Sequence, residues 1–179
     1  MLQKCTIYAI AGIFFDEPET EFSLAEIKRR SGKAATSVIL HLNELAKEGI
    51  IIKTSKKAGK RRYPIYKSNQ NDTAYIHYKK IFNLDILKGS GLIEFLKDQC
   101  FPDCIILFGS YSRGEDTKTS DIDVYVQSRE KKIELKKYEK NLGRKIQLHF
   151  RGDFNKYAKE LKNNIINGII LSGYLEAFK

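Results

Sequence analysis

The chain has 179 residues, of which 42% are hydrophobic and 30% charged, enough for one core or two small ones. Its net charge of +10 suggests contact with nucleic acid, nucleotide or an acidic protein, the alternative being a merely solvated basic surface. Three cysteines (Cys5, Cys100, Cys104) and three scattered histidines (His41, His77, His149) fit no zinc spacing, which argues against a His/Cys metal site and for free thiols in a reducing cytoplasm.

The apolar run from Cys5 to Phe15 is too short to span a bilayer. It has no strong basic flank, and Asp16-Glu17-Pro18-Glu19 follows where a signal peptide would have its small-residue cleavage site. It reads as the buried first helix of a soluble, cytoplasmic protein without a membrane segment. Ser23-Leu24-Ala25-Glu26 has the spacing of a capping box, opening a second helix that ends near Ser31-Gly32. A third helix turns Val38, Leu42 and Leu45 inward and stops at Gly49, leaving Thr36, Ser37, His41 and Glu44 off that stripe. Ile50-Ile51-Ile52-Lys53 and Tyr63-Pro64-Ile65-Tyr66 read as two strands around the turn Lys57-Ala58-Gly59-Lys60.

Helix, tight turn, helix and basic hairpin together resemble a winged helix-turn-helix domain over roughly residues 4–68, within an N-terminal domain of residues 1–70. From Lys53 to Lys67 there are seven basic residues and no acidic one. Such a hairpin tip would approach phosphates and give salt-sensitive affinity. The resemblance implies DNA contact through Ser37 and His41 on the third helix and Lys56, Lys57, Lys60, Arg61 and Arg62 on the hairpin. Winged helices also serve as protein–protein modules, and that reading stays open.

The polar stretch Ser68-Asn69-Gln70-Asn71-Asp72 separates this domain from residues 71–98, which read as connecting and scaffold helices. Tyr75, Tyr78, Ile81 and Phe82 form one helical stripe. Gly89-Ser90-Gly91 interrupts the pattern, and Leu92, Phe95 and Leu96 resume it.

Residues 99–179 carry the chemistry. Cys104-Ile105-Ile106-Leu107-Phe108 is an apolar run of strand length, as expected for a strand covered on both faces. It runs into Gly109-Ser110-Tyr111-Ser112-Arg113-Gly114, a turn rich in small residues, and then a polar loop with Thr117, Thr119 and Ser120. Asp121-Ile122-Asp123-Val124-Tyr125-Val126 follows with strand alternation, so Asp121 and Asp123 share one face while Ile122, Val124 and Val126 point into the core. Two carboxylates held side by side repel each other unless a cation sits between them. A hard divalent ion such as Mg²⁺, shared with phosphate oxygens, meets that need. The glycine–serine turn lets backbone amides and a hydroxyl approach a triphosphate. At average residue frequencies these residues at fixed positions arise by chance on the order of one time in a million per starting position.

Gly109 through Gly114, with Ser120-Asp121-Ile122-Asp123, resembles the signature of the DNA-polymerase-beta-like nucleotidyltransferases, and most closely their small minimal group. The resemblance covers about residues 90–179 and implies an α+β protein whose C-terminal domain has a mixed sheet. It implies transfer of a nucleoside monophosphate from a nucleoside triphosphate, usually ATP, to a hydroxyl acceptor, with pyrophosphate leaving. Gly109 and Ser110, with Arg113, Gly114 and Ser120, would hold the nucleotide. Asp121 and Asp123 would be catalytic and bind Mg²⁺, or Mn²⁺ in its place. A partner protein such as a cognate toxin, or a small molecule, would supply the hydroxyl.

Family members usually carry a third carboxylate on the next strand. Here that strand is Lys145-Ile146-Gln147-Leu148-His149-Phe150, after a helix ending at Leu142-Gly143, and Gln147 stands where the acid belongs. An amide can accept a weak metal contact but is no base at neutral pH. Ile146, Leu148 and Phe150 would face the core, leaving Gln147 and His149 on the aspartate side. His149 could take a proton or be simply a solvent-facing strand residue, the favoured reading, and Asp153 would substitute for the acid in another register. Beyond it, a helix with Tyr157, Leu161 and Ile165 and the apolar Ile169-Ile170-Leu171 are expected to pack the sheet. Gln147 and the hairpin leave an alternative: a DNA-binding transcriptional regulator whose weakened C-terminal domain only senses nucleotide. An interaction scaffold is the third reading.

Overall fold

In the computed structural model, which describes residues 5–150, 154 and 157–175, the chain divides into two units, Met1–Phe82 and Asn83–Lys179. Among the described residues no helix is long and apolar enough to cross a membrane.

The first unit begins with α1 (Thr6–Asp16), formed by the apolar run and burying Ile10, Ala11, Phe14 and Phe15. A two-residue strand β1 (Phe22–Ser23) leads into α2 (Leu24–Ser31). The capping box is present: the Ser23 amide donates to Glu26 Oε2 at 2.8 Å and the Glu26 amide donates to Ser23 Oγ at 3.3 Å. Those Ser23 hydrogen bonds hold the Glu26 carboxyl below the usual carboxylate range. In α3 (Ala35–Lys47) the buried residues are Val38, Leu42 and Leu45, the three read from the periodicity.

β2 (Ile51–Ala58) and β3 (Arg61–Ser68) complete an antiparallel sheet of order β1-β3-β2. These strands are longer than predicted. Lys56 and Lys57 lie within β2, opposite Tyr63 and Arg62, and the turn is only Gly59-Lys60. A two-residue turn lets pairing run to the tip, whereas the basic residues there offered no apolar alternation to read. In α4 (Thr73–Gly89) the predicted stripe also splits. Tyr75, Lys79 and Phe82 are buried, whereas Tyr78 and Ile81 are nearly half exposed. The buried arc follows i, i+4, i+7, and Tyr78 and Ile81 fall off its side.

The division between units falls inside α4. In the second unit, α5 (Leu92–Cys100) precedes a four-stranded sheet of order β6-β5-β4-β7. Its strands are β4 (Cys104–Phe108), β5 (Ile122–Val126), β6 (Ile146–Phe150) and β7 (Ile169–Gly173). β5 pairs antiparallel with β4 and parallel with β6, so the sheet is mixed. Both faces of β4 are covered: Ile105 and Leu107 join Leu92, Leu96, Ile122 and Val124 on one side, and Cys104, Ile106 and Phe108 join Tyr125 and Ile165 on the other. α7 (Lys136–Leu142) lies between β5 and β6, and α8 (Lys159–Ile166) precedes β7.

Two local expectations change. Gly109–Arg113 forms a short helix, α6, where a turn was expected. Ile169-Ile170-Leu171 is part of an edge strand pairing with β4, a role its short apolar run could not distinguish from helix packing. All three cysteines are free, and burial pushes the Cys100 and Cys104 thiols up.

Candidate active site

The site forms where β4 ends and β5 and β6 begin. After Phe108 the chain turns through Gly109 at φ 77° into α6. A Cβ at Gly109 would run into the Asp123 carboxylate, so both the left-handed backbone and the close approach require glycine. α6 presents Ser110 at its first turn and buries Tyr111 behind it, while the Ser112 hydroxyl donates to the Gly109 carbonyl at 2.8 Å. Gly114, at φ 72°, closes the helix.

Asp123 lies opposite Phe108 in the β4–β5 register and beside Gln147 in the β5–β6 register. Asp121 stands immediately before β5. Both aspartates are half-buried, while Ile122 between them is fully buried, so the carboxylates share a side as the alternation requires. Gln147 lies on the aspartate side of β6, and its Nε2 donates to Asp121 Oδ2 at 2.5 Å.

His149 lies on the aspartate side of β6, as its alternation with Gln147 implies. Instead of facing solvent, its side chain is 22% exposed, with Nε2 3.4 Å from Asp123 Oδ1 and its ring against Phe108 at 5.0 Å between centroids. Residues two apart on β6 share a face, so Gln147 and His149 reach Asp121 and Asp123 respectively. Asp153 lies outside the described residues.

Behind this front lies a group without a motif. The Arg144 guanidinium pairs with Asp116 at 2.8 Å, and their side chains are 8% and 0% exposed. Arg144 also donates to the carbonyls of Thr117 and Ser120. Asn83 Nδ2 donates to Asp116 Oδ1 at 2.7 Å and to the Tyr111 carbonyl at 2.9 Å. Sequence reasoning passed over Asn83, Asp116 and Arg144, because a buried ion pair between distant segments leaves no periodicity or local spacing.

The remaining predicted site residues are dispersed. The Ser120 hydroxyl is engaged inside its own loop, accepting from the Thr117 amide at 2.9 Å. Arg113 pairs with Glu115 at 2.7 Å on the surface. In the first unit His41 Nδ1 lies 2.7 Å from Glu44, one turn on along α3, and Ser37 is half-buried on the same helix. Lys57, Lys60, Arg61 and Arg62 are exposed on the hairpin, and Lys56 pairs with Glu21 at 2.5 Å. That lysine holds the Glu21 carboxyl below its usual range, and Glu21 raises Lys56 in turn.

Among the described residues no group of three His, Cys, Asp or Glu side chains is placed to hold a metal ion. The donor set is the two carboxylates, since the Gln147 amide meets Asp121 through its nitrogen. It suits a hard divalent cation whose remaining ligands are phosphate oxygens and water, as Mg²⁺ usually has, and does not suit a cation held by protein alone.

The family described as Polymerase beta, Nucleotidyltransferase matches residues 91–175, which include Gly109, both aspartates and Gln147. A Methanocaldococcus jannaschii protein named as a protein adenylyltransferase is 41% identical over 76 residues, spanning 37% of this chain and 76% of that protein. No solved structure matches the chain. The chain belongs to the polymerase beta nucleotidyltransferase family.

Proposed function

We propose that the second unit transfers a nucleoside monophosphate, from ATP as donor, to a hydroxyl acceptor. The observation that carries this reading is the placement of Asp123 against the glycine–serine opening of α6, with Asp121 on the same side of the strand. In the reaction the acceptor oxygen bonds to the α-phosphorus, the bond to the bridging α–β oxygen breaks, pyrophosphate leaves, and the hydroxyl proton passes to water. Gly109 lets the nucleotide approach the backbone, and the Ser110 hydroxyl with the first amides of α6 binds its phosphates. Arg113, Gly114 and Ser120 would join the nucleotide side only once Arg113 leaves Glu115 and the Ser120 hydroxyl leaves the Thr117 amide. Asp121 and Asp123 would hold Mg²⁺ or Mn²⁺, which when bound supplies electrophilic stabilisation for in-line displacement. Gln147 orients Asp121 by its hydrogen bond and takes no proton at neutral pH, and His149 fixes Asp123 from the sheet edge.

The relative named as a protein adenylyltransferase favours a protein hydroxyl as acceptor, such as one on a partner toxin, over a small molecule. The free thiols fit a cytoplasmic setting. Incubation with labelled ATP and Mg²⁺ or Mn²⁺ tests the reading. Wild type should bind and transfer label, and Asp121→Asn/Asp123→Asn should lose transfer on the order of 10³-fold. Absence of both binding and transfer in wild type would sink it. Gain of activity in Gln147→Asp would mark the amide as the weak point of the site.

The exposed basic tip of the β2–β3 hairpin favours a second reading. In it the first unit is a winged helix-turn-helix that contacts DNA through Lys56, Lys57, Lys60, Arg61 and Arg62, with Ser37 and His41 on α3. The chain would then be a transcriptional regulator whose second unit senses nucleotide. Nucleotide binding without transfer, together with salt-sensitive DNA binding, would select it.

A further inference from the structure

We propose that Arg144 is a positioning residue which, with Asp116 and Asn83, sets the aspartate pair against the nucleotide-binding turn; the proposal rests on the transfer reading above. The guanidinium touches both halves of the site from behind. Its ion pair with Asp116 and its bonds to the Thr117 and Ser120 carbonyls fix the loop from which Asp121 emerges, since Ser120 directly precedes that aspartate. Its carbon lies 5.4 Å from the ring centroid of Tyr111, the residue that directly follows Ser110. Asn83 ties the same two halves, holding Asp116 with one bond and the Tyr111 carbonyl with another, and the Tyr111 hydroxyl donates back to the Asn83 carbonyl at 3.4 Å.

The loop needs such a fixture. Residues 117–120 are Thr-Lys-Thr-Ser, with no apolar side chain to anchor them in the core. Lys118 and Thr119 are exposed. A turn closed by the Ser120 hydroxyl gives the loop its shape but does not attach it to the sheet. Arg144, two residues before β6, supplies the attachment to the strand that carries Gln147 and His149.

The form of the attachment matters. A buried ion pair contributes little net stability compared with a well-packed apolar replacement, because desolvation offsets its attraction. What it gives is direction. The planar fork of arginine reaches a carboxylate and two carbonyls at once, whereas lysine is a point charge on a flexible stem. Arg144→Lys therefore keeps the charge opposite Asp116 but loses simultaneous hold of the loop.

The test compares wild type, Arg144→Lys and the neutral pair Asp116→Asn/Arg144→Gln, the last removing any uncompensated buried charge. Folding is followed by near-ultraviolet circular dichroism and thermal midpoint. Labelled-ATP transfer gives kcat, KM and the Mn²⁺ concentration for half-maximal rate, and amide hydrogen exchange is read over residues 117–123. In a folded variant kcat should fall on the order of 10²-fold, as for a displacement of about 1 Å at a reacting centre. KM for ATP should change little, the half-maximal Mn²⁺ concentration should rise, and exchange should speed up in 117–123 while β4 stays protected. Either folded variant with wild-type kcat, Mn²⁺ dependence and exchange overturns the proposal. If wild type itself shows no transfer, the transfer reading fails separately. Exchange then decides alone: faster exchange confined to the loop upholds positioning, and unchanged exchange overturns it.

Discussion

On the β2–β3 hairpin of the first unit the charges stand outside: Lys57, Lys60, Arg61 and Arg62 are exposed, and the Lys56–Glu21 pair is 57% and 38% exposed. In the second unit the decisive charges are inside, with Asp116 fully buried and Arg144 nearly so. Both units use an arginine or lysine opposite a carboxylate, yet the consequences differ. An exposed pair is screened by salt and water and contributes little. A buried pair tolerates no loss of one partner, because the survivor is left charged in a medium that cannot solvate it. A role for the hairpin would therefore run through its field, and a role for the buried pair through the geometry it imposes.

The largest expected effect comes from breaking one pair in each unit. Asp116→Ala strands the Arg144 guanidinium and should destabilise the second unit by about 3–5 kcal/mol. Glu21→Ala should leave the unfolding midpoint of the first unit indistinguishable from wild type. Urea unfolding followed by probes in each unit reads both. Equal losses would break the contrast, since they would mean that burial does not set what the pairs are worth.

Next in size is a contrast of glycines with similar backbones and different surroundings. Gly109 has φ 77° and meets the Asp123 carboxylate, whereas Gly59 has φ 60° at the hairpin turn with nothing nearby. Gly59→Ala carries only the left-handed backbone penalty, about 1–2 kcal/mol. Gly109→Ala adds displacement of Asp123, so labelled-ATP transfer should fall by much more than stability does. A Gly109→Ala protein with wild-type transfer would show that Asp123 need not sit against the turn.

Much of the front of the site was legible because it is local. Asp121 and Asp123 share a face by strand alternation alone, and counting along the next strand put Gln147 on the aspartate side, where the folded sheet sets it beside Asp123. Val38, Leu42 and Leu45 were readable because thirteen residues of α3 carry a clear period. The five residues of α6 are too few to show one. Alternation put His149 on the aspartate side, but its cover was not readable, because Phe108 comes from a strand that precedes it in the chain and joins it only in the folded sheet. The Asn83–Asp116–Arg144 group was invisible for the same reason, and more completely: each member sits in a segment whose local pattern asks nothing of it. Local periodicity reports which face a residue takes, and tertiary pairing decides what it meets there.

The smallest effect separates two neighbours on the hairpin and sharpens the idea that the first unit acts through its field. If the hairpin contacts DNA, replacing Lys56, Lys57, Lys60, Arg61 and Arg62 together by Ala should weaken binding and flatten its salt dependence. The slope of log K against log salt should fall by about 0.9 for each phosphate that is no longer neutralised. Taken singly, Lys56→Ala should flatten the slope less than Lys57→Ala, because Glu21 at 2.5 Å already neutralises Lys56. Titrations of a short duplex at several salt concentrations give both slopes. Equal slopes would mean that the Glu21 pair opens when DNA arrives, and Glu21→Gln should then raise affinity without changing the slope. Unchanged affinity in the five-fold variant would instead leave the hairpin without a role in DNA binding, and its charge as a solvated surface.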